Sequence, residues 1–488
     1  MAVTEKQERA VLAALPTGLG SDASGPGERG TFDVTDPATG EVLIEVADAG
    51  PSDGVDALAA AAEAAAAWAA TPPQARADVL NGADRIVRER VEDLALLMTL
   101  EMGKPIEQSA AEVSYSAGFL RWFAGEAVRI EGRYGVPPDG GSRRIVHRRP
   151  VGPCLFVTPW NFPMAMGARK MAPAIAAGCT MVVKPASQTP LSMLALAAIL
   201  REAGLPDGVC NVVPTSAAGE VVGALLADGR LRKLSFTGST ETGSMLLAQA
   251  AEGVLRVSME LGGNAPFLVF EDADLDAAVE GAVIAKTRNI GEACTAANRF
   301  LVSERVVEPF TERLAARLAA MRVGRGTEAG VEIGPLIDDA AITKVSELVD
   351  DATARGASAV TGGHRLGERG TFYAPTVLAD VPVGAGVLTT EIFGPVAPVV
   401  SFTDDDEAIA GANDTPLGLV AYAYTRDLAR ALRLTEALEV GMLGINRGMV
   451  SDPSAPFGGV KRSGIGREGG REGIDEYLET VYVSIGGI

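Results

Sequence analysis

The sequence predicts an α/β fold, and three observations carry that prediction. From residue 151 onward, short apolar runs alternate with helical stretches about every 25 residues. A second alternation of the same kind starts after Asn264. Two further segments, 142–151 and 479–485, read as strands with exposed patterning. Strand and helix in regular succession make a parallel sheet, because parallel neighbours need a crossover connection and a helix is the usual one.

The elements follow in chain order. Residues 1–30 end in a Gly- and Ser-rich stretch (21–30) and are expected to form a loose arm. Residues 54–70 are alanine-rich and read as helix, since alanine gives up no side-chain entropy there. Segments 75–101 and 107–128 repeat apolar residues at helical spacing. Strands are expected near 153–158, 180–184, 209–213 and 233–236, with helices near 163–177, 190–204, 217–228 and 241–253. The second alternation places strands near 265–270, 394–402, 418–424 and 440–445. Segments 142–151 and 479–485 are candidate pairing surfaces for an oligomer, or else an edge covered by the chain itself.

Composition excludes several classes. A chain of 488 residues with 47% hydrophobic content buries a large core, in roughly two or three domains. Its net charge of −20 argues against nucleic acid or an anionic membrane surface as partner. Four cysteines without a Cys-x-x-Cys pair argue against a disulfide framework or a cysteine-rich metal site, and no metal is expected. The start of the sequence lacks a secretory pattern, its apolar piece Val11 to Leu15 being too short for a signal core. The uncharged run 151–168 has the length of a membrane span, but Pro153, Pro159, Pro163 and Asn161 would leave backbone groups unsatisfied in lipid. A soluble, cytoplasmic protein in a reducing compartment is expected.

Three stretches carry chemistry. Cys294 lies in Gly291-Glu292-Ala293-Cys294-Thr295-Ala296-Ala297-Asn298-Arg299, with polar neighbours close by on both sides. Glu260 lies in Met259-Glu260-Leu261-Gly262-Gly263-Asn264, and Asn161 in Thr158-Pro159-Trp160-Asn161-Phe162-Pro163. They offer a thiol nucleophile, a carboxylate able to activate water, and an amide able to hold an oxyanion. Glu260 alone also reads as a strand-end carboxylate in a salt bridge. Cys154, Cys179 and Cys210 read as small core residues. Neither His147, in the 142–151 strand, nor His364, in a glycine-rich turn, is well placed as a base.

For a phosphate-bearing ligand, the stretch Phe236-Thr237-Gly238-Ser239-Thr240-Glu241-Thr242-Gly243 ends a strand and opens a helix, whose free N–H groups suit a pyrophosphate. The literal Gly-x-Gly-x-x-Gly at 464–469 is a decoy, because no strand precedes it and too little chain follows for a βαβ unit. Lys184-Pro185-Ala186-Ser187 closes another strand and reads as a solvated terminus or as a ribose contact.

From residue 30 or so to the end, the ordered motifs resemble the aldehyde dehydrogenase superfamily. The motifs are 158–163, 184–187, 236–243, 259–264, Cys294, Glu391-Ile392-Phe393-Gly394-Pro395 and Pro456-Phe457-Gly458-Gly459. Stretches 169–189, Thr287-Arg288-Asn289, 463–469 and Gly473-Ile474-Asp475-Glu476-Tyr477 are most similar to succinate-semialdehyde dehydrogenases. The resemblance implies a Rossmann-like cofactor domain (1–127 and 151–260), an α/β catalytic domain (261–450) and a small β oligomerisation domain (128–150 and 470–488). It implies Cys294 as nucleophile, Asn161 with the Cys294 N–H as oxyanion donors, Glu260 as the hydrolytic base, and Lys170 and Glu468 in a minor proton relay. Thr158, Trp160, Lys184, Ser187, Gly238, Ser239, Glu391 and Phe393 would bind the dinucleotide. Ser187 stands where NAD-preferring relatives tend to carry glutamate, so NADP is expected, with NAD possible. Arg169, Arg288 and Ser451 would hold the distal carboxylate of succinate semialdehyde. Other readings are a glutarate-semialdehyde or broad-range aldehyde dehydrogenase, a non-catalytic dinucleotide-binding protein, and a cofactor-free thiol hydrolase. A homodimer or homotetramer is expected.

Two departures bear on the site. Glu292 replaces the usual glutamine, and its charge would raise the Cys294 pKa and slow attack at neutral pH unless a nearby arginine pairs with it. Arg447 replaces a small or acidic residue at the substrate entrance. Ala296 stands where some relatives carry a second, redox-active cysteine, so no such switch is expected.

Overall fold

The computed structural model describes residues 3–15, 18 and 26–486. One part of the expected loose arm is ordered. Glu5–Ala13 is a helix whose N-terminus is closed by a capping box: Thr4 accepts from the Gln7 backbone N–H, and the Gln7 side chain returns the bond to the Thr4 backbone. Arg325 fixes this helix, reaching Glu8 at 2.9 Å and Asp36 at 2.8 Å. The expectation failed because the Thr-x-x-Gln signal at 4–7 outweighs the flexible composition that follows. Residues 21–25 of that stretch lie outside the described residues.

Four helices, Pro51–Ala70, Pro73–Glu89, Val91–Met102 and Ile106–Ala127, precede the first parallel sheet; the first packs on its strands, and the others pack on one another and on the sheet's crossover helices. That sheet runs in the order Gly464–Ile465, Arg256–Glu260, Lys233–Thr237, Cys154–Val157, Met181–Lys184, Cys210–Val212. Gly464–Ile465 is antiparallel to its neighbour and the rest are parallel. The chain leaves Cys154–Val157 toward one edge and returns on the other side of it with Lys233–Thr237. The switch point therefore lies between these two strands, where doubly wound sheets open a crevice beyond their carboxyl ends. The decoy glycine motif forms the antiparallel edge, and a Cβ on Gly464 would lie 2.0 Å from the Met259 carbonyl oxygen. No room remains there for a phosphate.

The second sheet runs Ser358–Thr361, Thr376–Ala379, Val396–Phe402, Ala297–Ser303, Ala265–Val269, Val420–Tyr424, Met442–Ile445. Only the first pair is antiparallel. Its core is aromatic: Phe267 lies against Phe300, Tyr422 and Tyr424 with ring centroids 5.2 to 5.9 Å apart. Leu261–Asn264 link the carboxyl end of the first sheet to the amino end of the second, so these two ends face the same space.

Segments 142–151 and 479–485 pair with each other. Ser142–Pro150 lies between Arg133–Gly135 and Leu478–Gly486 in a three-stranded antiparallel sheet, with His147 opposite Val481. The middle strand is thus covered by its own chain, while Leu478–Gly486 keeps an edge and exposes Tyr482 at 60%. No helix of the described residues is long and apolar enough to cross a membrane.

Candidate active site

Cys294 sits on the loop between the helix Leu275–Thr287 and the strand Ala297–Ser303, at the amino end of the second sheet. The cysteine thus lies at strand amino ends, which meet the carboxyl ends of the first sheet through the Leu261–Asn264 link. The loop is strained: Asn289 (φ 56°) and Ile290 (φ 63°) are both left-handed. Such residues cost about 1–3 kcal/mol each and persist only when neighbours over-determine them. The neighbours are present. The Asn289 N–H donates to Gln108 Oε1 at 2.6 Å, and its side-chain amide donates to the Asn161 and Glu292 carbonyls, both at 2.9 Å. Beyond the cysteine, the Tyr422 hydroxyl donates to the Thr295 carbonyl (2.9 Å), and Lys286 Nζ to the Ala297 carbonyl (2.9 Å). Gly263 brings the other wall in: a Cβ there would lie 2.4 Å from the Cys294 carbonyl oxygen. No other residue type permits that approach of the Glu260 segment to the nucleophile loop.

Asn161 is buried in the loop after Cys154–Val157, and its amide donates to the Glu292 carbonyl at 2.9 Å. An amide nitrogen carries two N–H groups, so one donor stays uncommitted. The loop is clamped from beneath. Lys104 Nζ donates to the Asn161 carbonyl (2.8 Å) and pairs with Glu112 (2.5 Å), whose other oxygen accepts from the Met164 and Ala165 N–H groups at 3.1 and 3.0 Å. Both charged groups are buried. Sequence reasoning missed this pair, together with Asn289 and Tyr422. Glu112 was findable: with Ser109, Ser116 and Phe119 it shares the buried face of Ile106–Ala127.

Glu260 ends its strand with Oε2 lacking any hydrogen-bond partner and Arg169 Nη2 3.9 Å away. Burial pushes its carboxyl up to about 8; Glu468 adds to the rise, and Arg169 and Lys170 oppose it. Glu468 is the hub behind it. Burial pushes Glu468 up as well, but Lys170 and Arg169 win and hold it below the usual carboxylate range. Lys170 bonds both Glu468 and the Ser235 hydroxyl (3.0 Å), and Arg169 Nε lies 2.5 Å from Glu468 Oε2 in an ion contact off hydrogen-bond alignment. The packed surroundings of Cys294 push its thiol up to about 12, Glu260 adds to the rise, and the Arg169 and Arg288 charges oppose it. The residue retains surface open to solvent, which tempers that push.

Of the carboxylate-binding set, Arg288 and Ser451 come together, Nη1 to Oγ at 3.3 Å, with the guanidinium over the Phe162 ring at 4.9 Å. Arg169 is 1% exposed, stacked on Phe457 at 4.1 Å and turned toward Glu468.

The dinucleotide set gathers beyond the first sheet. The Thr158 and Thr237 hydroxyls are buried without partners. Ser239 caps the helix Thr240–Glu252, accepting from the Thr242 N–H at 3.2 Å, and Gly238 precedes it. Lys184 is buried, which alone lowers it to about 8, and Ser187 follows at the strand end. Glu391 accepts from the Gly263 N–H at 3.1 Å, and burial pushes its carboxyl up to about 7. Phe393, at φ 57°, sets its ring edge-on to Trp160 at 5.4 Å. Unpartnered hydroxyls, a helix N-terminus, a lysine and a carboxylate suit the phosphates and ribose hydroxyls of a dinucleotide.

No arginine pairs with Glu292 among the described residues. It is fully buried; one oxygen accepts from the Ile337 N–H at 3.0 Å and the other has no partner. Burial holds its carboxyl well above the usual range, favouring the uncharged form, and it is not among the groups acting most strongly on Cys294. Folding therefore takes up a proton here, and that cost grows as pH rises above 4.5, the ordinary carboxyl value. Glu292→Gln is expected to raise the melting midpoint by several degrees at pH 8.5 and little at pH 5, read by differential scanning fluorimetry. Arg447 lies on the surface, where its charge acts on Asp452.

The Asn161 loop reaches the Glu292 carbonyl, and the segment after Glu260 lies against the Cys294 carbonyl, so the three loops converge where the two sheet ends meet. The two α/β sheets meeting at this site are the architecture of an α/β oxidoreductase. Residues 25–483 match the aldehyde dehydrogenase family, and the chain belongs to it. It is 56% identical to the succinate-semialdehyde dehydrogenase of Paenarthrobacter nicotinovorans, over 91% of this chain and 99% of that one. It is 52% identical to a glutarate-semialdehyde dehydrogenase of Pseudomonas aeruginosa, over 94% and 95%. Among solved structures it is similar to an NADP-dependent enzyme of E. coli, with a TM-score of 0.95 at 47% identity and full coverage of both chains.

Proposed function

We propose that the protein oxidises succinate semialdehyde to succinate, using NADP and accepting NAD. The observation that carries this reading is the Arg288–Ser451 pair beside Phe162, a cationic and hydroxylic patch on the approach to Cys294. A carboxylate leaving water needs such partners, since burying it unpaired is costly. Lys184 and Ser187 support NADP: together they offer a positive charge and a hydroxyl donor to a 2′-phosphate, with no carboxylate at 187 to repel it.

The Cys294 thiol gives up its proton to solvent, to which it keeps open surface, its sulfur adds to the aldehyde carbon, and the resulting oxyanion is held by the free N–H of Asn161 and the Cys294 backbone N–H. The bound dinucleotide supplies the hydride acceptor and, in its oxidised form, a positive charge. Loss of the hydride from the thiohemiacetal carbon leaves a thioester on Cys294. Glu260 takes a proton from water, the hydroxide adds to the thioester carbon, the carbon–sulfur bond breaks, and the acid departs. Lys170 and Glu468 relay the proton away from Glu260.

Arg288→Ala is expected to lower kcat/KM for succinate semialdehyde by about 10²-fold or more, the cost of unpairing a charge-assisted bond, and to change acetaldehyde turnover little. Formation of reduced dinucleotide, followed by absorbance, reads both. Equal losses on the two substrates would refute the carboxylate anchor. The relative named for glutarate semialdehyde favours a second reading, in which the longer homologue is also accepted. One methylene discriminates only about 10–200-fold, so both semialdehydes belong in the assay. We further propose a cytoplasmic homodimer or homotetramer, supported by the reduced thiol the chemistry needs and by the open edge of Leu478–Gly486.

A further inference from the structure

Tyr115 projects from the helix Ile106–Ala127 into the space between the two site loops. Its ring packs against the small apolar cluster of Phe162, Ala165, Met166 and Ala293, which joins the Asn161 loop to the Cys294 loop. An edge contact with Phe119, centroids 4.8 Å apart at 68°, fixes the ring plane. The phenolic oxygen is shut off from solvent and makes no well-aligned hydrogen bond, with Arg169 and Ser451 only loosely within reach of it. A buried hydroxyl left without a well-aligned partner is rare in a folded protein and points to a ligand that completes it. Its polar surroundings are Arg169, Arg288 and Ser451, the residues placed at the distal carboxylate. Burial pushes the phenol up, with the two arginines opposing, so the hydroxyl keeps its proton at neutral pH and can donate it.

We infer that Tyr115 is a specificity-determining residue whose hydroxyl donates to the distal carboxylate of a short ω-carboxylated aldehyde, alongside Arg288 and Ser451. The inference rests on the proposed succinate-semialdehyde reading. It also gives a use to the helix that brings Glu112 under the Asn161 loop: the same element sets the oxyanion donor and, one turn further on, reads the far end of the substrate.

The test compares wild type with Y115F on succinate semialdehyde and on butanal, which has the same chain length and no charge. Y115F removes one oxygen and keeps the ring on Phe119. Its kcat/KM for succinate semialdehyde is expected to fall about 10–100-fold, the range for a lost charge-assisted hydrogen bond, mainly through KM, while butanal changes less than about twofold. Succinate, added as a competitive inhibitor of butanal oxidation, should weaken by a similar factor. Y115H, which restores a donor, should recover part of the preference. The inference is overturned if Y115F retains the wild-type preference, or if both substrates lose equally, which would mark a packing role. Wild type showing no preference for succinate semialdehyde over butanal would instead bring down the functional reading itself. Melting midpoints confirm that each variant is folded, and a Y115F too unstable to assay would itself count for a packing role.

Discussion

Cys294→Ala is expected to abolish formation of reduced dinucleotide from every aldehyde, a loss of about 10⁴-fold or more, as when a lone nucleophile is removed from a covalent mechanism. No other thiol can substitute. Cys154, Cys179 and Cys210 all lie at the amino ends of first-sheet strands, away from the carboxyl ends that meet the Cys294 loop. The variant should keep its melting midpoint and its dinucleotide binding, measured by quenching of protein fluorescence, because Cys294 contributes no side-chain hydrogen bond among the described residues. Turnover within tenfold of wild type would end the thioester mechanism. An inert but folded variant that still binds dinucleotide would separate catalysis from the non-catalytic binding reading.

Both sheets were legible from the sequence, because fully buried parallel strands such as Cys154–Val157 and Ala265–Val269 are continuous apolar runs. The N-terminal helix was not, because composition was read in place of the capping signal at Thr4 and Gln7. Cys294, Glu260 and Asn161 were legible because their residue types are rare in such surroundings and their motifs are ordered along the chain. Their supports were not. Lys104, Glu112 and Asn289 act through backbone carbonyls and amides brought close only by folding, over separations such as the 57 positions between Lys104 and Asn161. The surroundings of Glu292 were hidden for the same reason: sequence shows a carboxylate two residues before Cys294, whereas its burial, which favours the uncharged form, appears only in the fold. Arg169 shows a further limit: the resemblance puts it at a distal carboxylate, and only the fold shows it enclosed between Phe457 and Glu468.

Glu260→Gln divides the reaction at the thioester. The amide cannot take a proton from water, so hydrolysis should stall while sulfur addition and hydride loss proceed. Rapid mixing of the variant with aldehyde and NADP is expected to give a burst of about one reduced dinucleotide per active site, followed by a steady rate about 10²–10⁴-fold below wild type, the usual worth of a positioned general base. The pH profile supplies a second, independent reading. Burial favours the neutral carboxyl and raises Glu260 to about 8, so the basic form accumulates only as pH climbs through that value. Where hydrolysis limits turnover, wild-type kcat should therefore rise between pH 6.5 and 9 and level off above, and Glu260→Gln should lose that limb. A missing burst in a folded variant would move the role of the carboxylate to the first step, as the base that deprotonates Cys294, whose thiol its charge otherwise helps hold up near 12. A full steady rate would remove Glu260 from the chemistry and leave the unpartnered Oε2 without a function.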